Sequence, residues 1–303
     1  MGPSELESSL GMPPLPVSNT SAQDPSIRFR GSNKYTVSPE AVFACLWRHR
    51  ELLWQLTKRD VVGRYRGSVM GLMWSFFHPL LMLAVYTFVF SVVFQSRWGA
   101  GSDSKSLFAL IVFTGMIIHG LFAECVNRSP GLILNNVNYV KKVVFPLEIL
   151  LWVSLGSALF HAGISTMVLL LFYGVIHSSL NWTAIFFPLL LFPLILLTMG
   201  LSWFLAATGV FLRDVGQVIG IITTVLLFLS PVFYPVSALP EQYRSLLHLN
   251  PLTFIIEQAR DVLIWGKLPD WLGLGLYFAL SLLIAWVGLM WFQATRKGFA
   301  DIL

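Results

Sequence analysis

Charged side chains are scarce in this 303-residue chain: Asp, Glu, Lys and Arg make up 12% of it, where a soluble domain carries about 25%. So few charges do not cover a fold that is 56% hydrophobic, which excludes an ordinary soluble domain. The same apolar excess excludes an intrinsically disordered chain. Cysteine is nearly absent: Cys45 and Cys125 have no C-x-x-C spacing and no histidine-rich surroundings, so a disulfide-stapled module and a thiolate metal site are excluded, leaving two unpaired thiols in packed helices. No G-x-x-x-x-G-K-[ST] loop exists to cradle ATP phosphates, and G-x-S-x-G and H-E-x-x-H are missing as well. Repeats of 20 to 50 residues and inverted symmetry between the halves are not visible, which weakens the case for a carrier built from inverted repeats.

What remains is an all-α integral membrane protein, with a mean hydropathy of +0.72. Six runs are long and apolar enough to cross about 30 Å of hydrocarbon as helices: approximately 69–94, 107–124, 149–176, 184–212, 218–236 and 271–292. Pro79, Pro188 and Pro193 lie inside them, which neighbouring helices tolerate in lipid. Residues 1–37 are rich in Ser, Pro, Gly and Asn and are expected to form a disordered cytoplasmic tail. At Ser38-Pro39-Glu40 an N-cap, a first-turn proline and a dipole-complementing acid start a helix over 38–62. Val42, Leu46 and Leu53 run beside Phe43, Trp47 and Trp54, with cations opposite, the pattern of an amphipathic helix in the membrane interface. Residues 63–303 form the transmembrane domain.

Placing both termini inside puts fifteen of the twenty Lys and Arg on the cytoplasmic side, leaving Arg97, Lys105, Arg244, Arg260 and Lys267 outside. The net charge of +5 then belongs to cytoplasmic loops and not to a nucleic-acid surface. Glu124, Glu148 and Asp214 fall at cytoplasmic ends of spans, so the midplane lacks the ionisable groups that proton or sodium coupling needs. His78, His119 and His161 have no carboxylate three or four residues away and read as packed, hydrogen-bonded histidines. The sequon Asn181-Trp-Thr183 sits in a short connection and reads as chance. Between the fifth and sixth spans, residues 237–270 are apolar but divided by Asn250-Pro251 into pieces too short to span. The expected reading is a re-entrant periplasmic helix pair dipping back into the outer leaflet, with two amphipathic helices resting on the outer surface as the alternative that length alone does not separate.

Small residues at helix-packing spacing, Gly63, Gly67 and Gly71 before the first span and Gly216 and Gly220 in the fifth, suit two spans that approach closely. Trp74, Phe77, Tyr86 and Phe90 place aromatics around the first span, either lining a conduit for sugar rings or facing lipid. Arg59, Arg64 and Arg66 at its mouth suit a diphosphate, though positive-inside anchoring accounts for them equally well.

The stretch Leu56 to Trp74 (LTKRDVVGRYRGSVMGLMW) with His78-Pro79, the segment Asn138 to Glu148 (NYVKKVVFPLE), Arg213-Asp214, Ser230 to Pro235 (SPVFYP), Asn250-Pro251 and Gly298 to Asp301 (GFAD) resemble, in order, Wzm-type permeases. These are the membrane subunits of ABC-2 exporters that move O-antigen polysaccharides. The resemblance covers everything from about Val42 onward. It implies a homodimer around a central channel, paired with two Wzt-type nucleotide-binding subunits that hold the ATP and Mg, so that this chain binds no cofactor and catalyses no reaction. It also implies a bacterial inner-membrane location and a polyprenyl-diphosphate-linked glycan as substrate. By resemblance, Arg48, Glu51, Asn135, Asn136, Lys141 and Lys142 would meet the ATPase, and the first and fifth spans would form a lateral gate at Gly67, Gly71, Gly216 and Gly220. Tyr234, Asn250, Pro251 and Glu257 would shape the periplasmic exit. A teichoic-acid or capsule exporter of the same fold is the alternative, and from another class an intramembrane glycosyl- or acyltransferase.

Overall fold

The computed structural model describes residues 46–89, 105–140 and 146–302. The tail, the helix start at Ser38, Phe90 and the Lys141-Lys142 pair lie outside the described residues. Every regular element among the described residues is helical. The main helices are α1 (Arg50–Arg64), α2 (Trp74–Phe88), α3 (Lys105–Leu132), α4 (Glu148–His177), α5 (Phe187–Phe211), α6 (Val215–Leu229), α7 (Glu241–Leu249), α8 (Pro251–Leu263) and α9 (Trp271–Thr295). Five described stretches are long and apolar enough to cross a membrane, Gly71–Phe88, Ser106–Leu132, Glu148–His177, Trp182–Phe211 and Trp271–Gly298. The chain is a multi-pass membrane protein.

The expected fifth span is corrected. Instead of a helix over 218–236, α6 has 15 residues and stops at Leu229. Pro231 is the cause: a proline ring disfavours a helical residue before it, and Ser230 is extended at φ −86° and ψ 150°. At 1.5 Å per residue α6 reaches about 22 Å, short of a full crossing. The second span departs in the opposite direction, because α3 continues past Glu124 through Pro130 to Leu132. Ser129 donates to the Cys125 carbonyl at 2.7 Å within this extension, and Asn136 donates to Leu132 at 2.9 Å just beyond it.

Helix α3 is the centre of the bundle, packed by α2, α4, α5, α6 and α8. Leu110, Ile111, Val112 and Ile118 on it are fully buried. The closest helix crossing joins α5 and α9: a Cβ on Gly200 would stand 2.6 Å from the Ile284 carbonyl, and one on Gly288 would overlap the Gly200 carbonyl. Helix α1 lies along α4, with Leu56 against Ile149 and Val153, while Trp47 and Trp54 face outward at 74% and 71% exposure. An outward tryptophan stripe is what an interfacial helix presents to lipid headgroups.

Helices α7 and α8 divide at Asn250, as the sequence predicts. The Asn250 side chain accepts from the Leu252 amide at 2.9 Å, and Pro251 takes the first helical position. Leu252, Ile255, Ile256, Ala259 and Val262 of α8 are buried against α3 and α5, so α8 lies within protein and does not rest alone on a surface. Asn181 and Thr183 anchor its far end, donating to Ile264 at 2.9 Å and to Val262 at 2.6 Å, which gives the sequon residues a structural task. Arg260, counted among the external cations, is 3% exposed and donates to the carbonyls of Ile111 at 3.2 Å and Val232 at 3.0 Å.

Candidate functional site

Where α1 ends beside α3 and α4, six charged or polar side chains form a ladder. Asp60 and Arg64 are one helical turn apart on α1, and Glu124 and Arg128 are one turn apart on α3, so each pair projects on one face. Arg128 grips Asp60 with two hydrogen bonds, at 2.8 and 3.0 Å. Arg64 pairs with Glu124, and Arg128 stands 3.9 Å from the same carboxylate. From α4, His161 Nδ1 lies 3.2 Å from both Glu124 oxygens, and its Nε2 lies 3.2 Å from the Tyr65 hydroxyl. His161 Nδ1 thus sits between the Glu124 carboxylate, to which it can donate, and Arg64 Nη1 at 3.2 Å, which can only donate to it. Burial works against ionisation of Asp60, but the hydrogen bonds and charge of Arg128 outweigh it and hold the carboxyl below its usual range. For Tyr65 burial dominates and raises the phenol, which keeps the hydroxyl proton available.

A cavity of about 370 Å³ opens beside this ladder, within the range of small-ligand sites. Arg64, Tyr65, Glu124 and His161 form its charged end, with Ser165 one turn along α4. Helix α2 supplies Ser75, His78, Pro79, Met82 and Tyr86, and α3 supplies Phe113, Met116 and Ile117. Glu124 and Phe113 are separated along α3 by about 16 Å of helical rise, so the cavity grades from ionic to apolar and aromatic. That gradient suits an amphiphile with an anionic or polyhydroxylated head.

The sequence candidates are distributed unevenly around it. Arg64 and Tyr86 line the cavity. Arg59 instead donates to Tyr139 at 3.1 Å, and Arg66 is exposed, so the three arginines do not form one cluster. Trp74 is exposed and Phe77 half-buried, neither lining the cavity. Within this chain Gly67 and Gly71 have φ of 85° and 52°, marking turns between α1 and α2, and a Cβ on Gly63, Gly67, Gly71 or Gly220 would meet nothing within 4 Å. Gly216 makes an ordinary contact with Pro130, and the tight crossings are those of α5 with α9 at Gly200 and Gly288 and of α5 with α3 at Gly209. Arg48, Glu51 and Asn135 are exposed, and Asn136 is half-buried. Tyr234 donates to Phe228 at 2.9 Å and Asn250 to the Ser230 hydroxyl at 2.9 Å, tying the end of α6 to the start of α8. Glu257, on α8, is half-buried.

Asp60, Glu124, Arg128 and His161 were not candidates from sequence, since their partners are 37 to 97 residues away. One signal is present: acid-then-base pairs at i and i+4 on two separate helical segments set opposite charges against each other when the helices run antiparallel.

The family profile described as ABC-2 type transporter matches residues 51–264. This chain belongs to the ABC-2 type transporter family. It is 29% identical over 259 residues to the O-antigen export system permease protein RfbA of Myxococcus xanthus, covering 84% of this chain and 96% of that protein. Identity to the RfbA permease of Klebsiella pneumoniae is 27% over 256 residues, covering 84% and 95%. The polysialic acid transport protein KpsM of Escherichia coli is 22% identical over 244 residues, covering 79% and 91%. Within the ABC-2 family the ladder and cavity fall inside the matched region, since Asp60 to His161 lies between its limits.

Proposed function

We propose that this chain is the permease subunit of an ABC transporter that exports a polyprenyl-diphosphate-linked polysaccharide across the bacterial inner membrane. The observation that carries the reading is the likeness to O-antigen export permeases along 84% of the chain. The graded cavity supports it physically. A lipid-linked glycan needs a charged recess for its diphosphate and an apolar or aromatic one for its remainder, and both Arg64 and Tyr86 line such a recess. A guanidinium binds phosphate oxygens through two parallel donors.

The energy comes from a separate ATP-binding subunit, since the sequence contains no P-loop. Two such Wzt-type subunits and a second copy of this chain complete the assembly, and the chain is itself no enzyme. Arg48, Glu51, Asn135 and Asn136, with Lys141 and Lys142, face the ATPase from the cytoplasmic side, where both termini lie. Helix α6 with Gly216 and Gly220 borders the lateral gate, and Tyr234, Asn250 and Glu257 belong to the external exit. A capsular polysaccharide is the second reading for the cargo, favoured by the likeness to polysialic acid transport proteins.

The test is the double variant Arg64→Gln, Arg66→Gln. Surface polysaccharide should disappear while the permease still co-purifies with its ATPase subunit. Normal surface polysaccharide in that strain overturns the assignment of the mouth. A wild-type complex without glycan-dependent ATP hydrolysis overturns the exporter reading itself.

A further inference from the structure

We propose that Glu124 is the resting occupant of an anion site on Arg64, and that an arriving diphosphate headgroup displaces it toward Arg128. The inference rests on the reading of Arg64 given above and adds to it a built-in competitor.

Arg64 keeps 39% of its side chain exposed at the cavity mouth, whereas the Glu124 carboxylate that pairs with it is 19% exposed and lies inside. The guanidinium is therefore reachable from outside but already neutralised from within. Glu124 has other places to go. His161 stands 3.2 Å from it and Arg128 3.9 Å, so releasing Arg64 leaves the carboxylate in contact with a histidine and beside a second guanidinium. A carboxylate with nowhere else to go would be a permanent counter-ion; this one is shared among three partners.

Charge also favours exchange. The segment that carries Arg64 also holds Lys58, Arg59 and Arg66 against Asp60 alone, so an arriving dianionic group meets a net positive stretch of chain. A diphosphate presents more charge and more acceptor oxygens to the guanidinium fork than one carboxylate does. The apolar half of the cavity, with Met82, Phe113, Met116 and Ile117, accepts the first carbons of the attached tail. As Glu124 leaves Arg64 it gives up one tie between α1 and α3, and it then competes with Asp60 for Arg128, the other. Loading the head thus loosens the helix that carries the exposed Arg48 and Glu51 end.

A pre-existing competitor lowers apparent affinity by the fraction of sites it occupies. The experiment titrates purified full-length permease in lipid nanodiscs with farnesyl diphosphate, with inorganic diphosphate and farnesol as separate arms. Relative to wild type, Glu124→Gln should bind farnesyl diphosphate at least about fivefold more tightly, the lower end of ordinary coupling between sites. Asp60→Asn, which keeps the Glu124 carboxylate but frees Arg128 to hold it, should tighten binding by less, and it carries the test if Glu124→Gln does not elute as a folded species. Arg64→Gln should remove binding. Unchanged or weaker affinity in the folded Glu124→Gln and Asp60→Asn proteins overturns the competitor while leaving the headgroup reading intact. No binding to wild type or to any variant overturns the headgroup reading, and this inference with it. Inorganic diphosphate binding as tightly as farnesyl diphosphate overturns the lipid assignment, and farnesol binding equally well overturns the anion site.

Discussion

Arg128 holds Asp60 through two near-parallel hydrogen bonds, Nη2 to Oδ1 at 2.8 Å and Nη1 to Oδ2 at 3.0 Å, bridging 68 residues of sequence. Both side chains are partly exposed, so the pair contributes on the order of 1 kcal/mol and not the larger sum of an ion pair in a dry core. Asp60→Arg and Arg128→Asp should each lower the melting temperature of the purified protein. The double reversal should recover part of the loss. A double variant no more stable than the sum of the singles removes the pairing energy.

Acidification tests the same contact from another direction. The Asp60 carboxyl titrates below its ordinary value of 3.8 in the folded protein, so its stabilisation is complete above that value and disappears as pH falls through the lower, folded one. Melting temperature should therefore be insensitive to Asp60 between pH 7 and 5 and fall below about pH 4. Asp60→Asn should show a shallower acid limb in the same scan.

Glycine tolerance separates two kinds of site. Gly288→Leu would drive a side chain into the Gly200 carbonyl, and Gly200→Ala would crowd the Ile284 carbonyl. Each should cost on the order of 1–3 kcal/mol or more, read as lower melting temperature or loss of monodisperse protein. Gly63→Ala, in the open helical position of α1, should be neutral or slightly stabilising, since alanine is the better helix former.

Arg260→Met would remove donors from the Ile111 and Val232 carbonyls and leave the buried Val232 group unserved. The expected cost is about 2–4 kcal/mol in thermal unfolding. Asn250→Ala, which loses both the cap of α8 and the bond to Ser230, should cost about 1–2 kcal/mol. Asn250→Asp should retain the cap of α8, because a carboxylate still accepts from the Leu252 amide, but lose the bond to Ser230, whose hydroxyl already donates to the Leu226 carbonyl at 2.6 Å.

Much of this architecture is legible in the sequence. Long apolar runs locate all five of the described long spans over most of their length, and Asn250-Pro251 marks the division of α7 from α8, because burial in lipid and the missing proline amide act locally. The end of α6 is not legible by hydropathy, since Val232, Phe233 and Val236 beyond the break are as apolar as the helix before it. Glycine spacing is ambiguous for a related reason: Gly67 and Gly71 have the interval of packing residues and within this chain serve turns of positive φ. The crossing of α5 with α9 leaves a fainter trace in Ser281, Ala285 and Gly288, small residues on one face of α9. The ladder escapes because each partner is supplied by another helix, and His161 reads as bland until α3 brings Glu124 beside it.

The order of signs along the ladder also fixes how α1 responds to force. Sliding α1 by one helical turn, about 5.4 Å, would set Asp60 opposite Glu124 in one direction or Arg64 opposite Arg128 in the other. Either displacement exchanges attraction for like-charge repulsion, so the helix is keyed to a single seat, like a tooth in a notch. A push on its outer end is delivered to α3 as movement of the whole rod and is not dissipated in slippage.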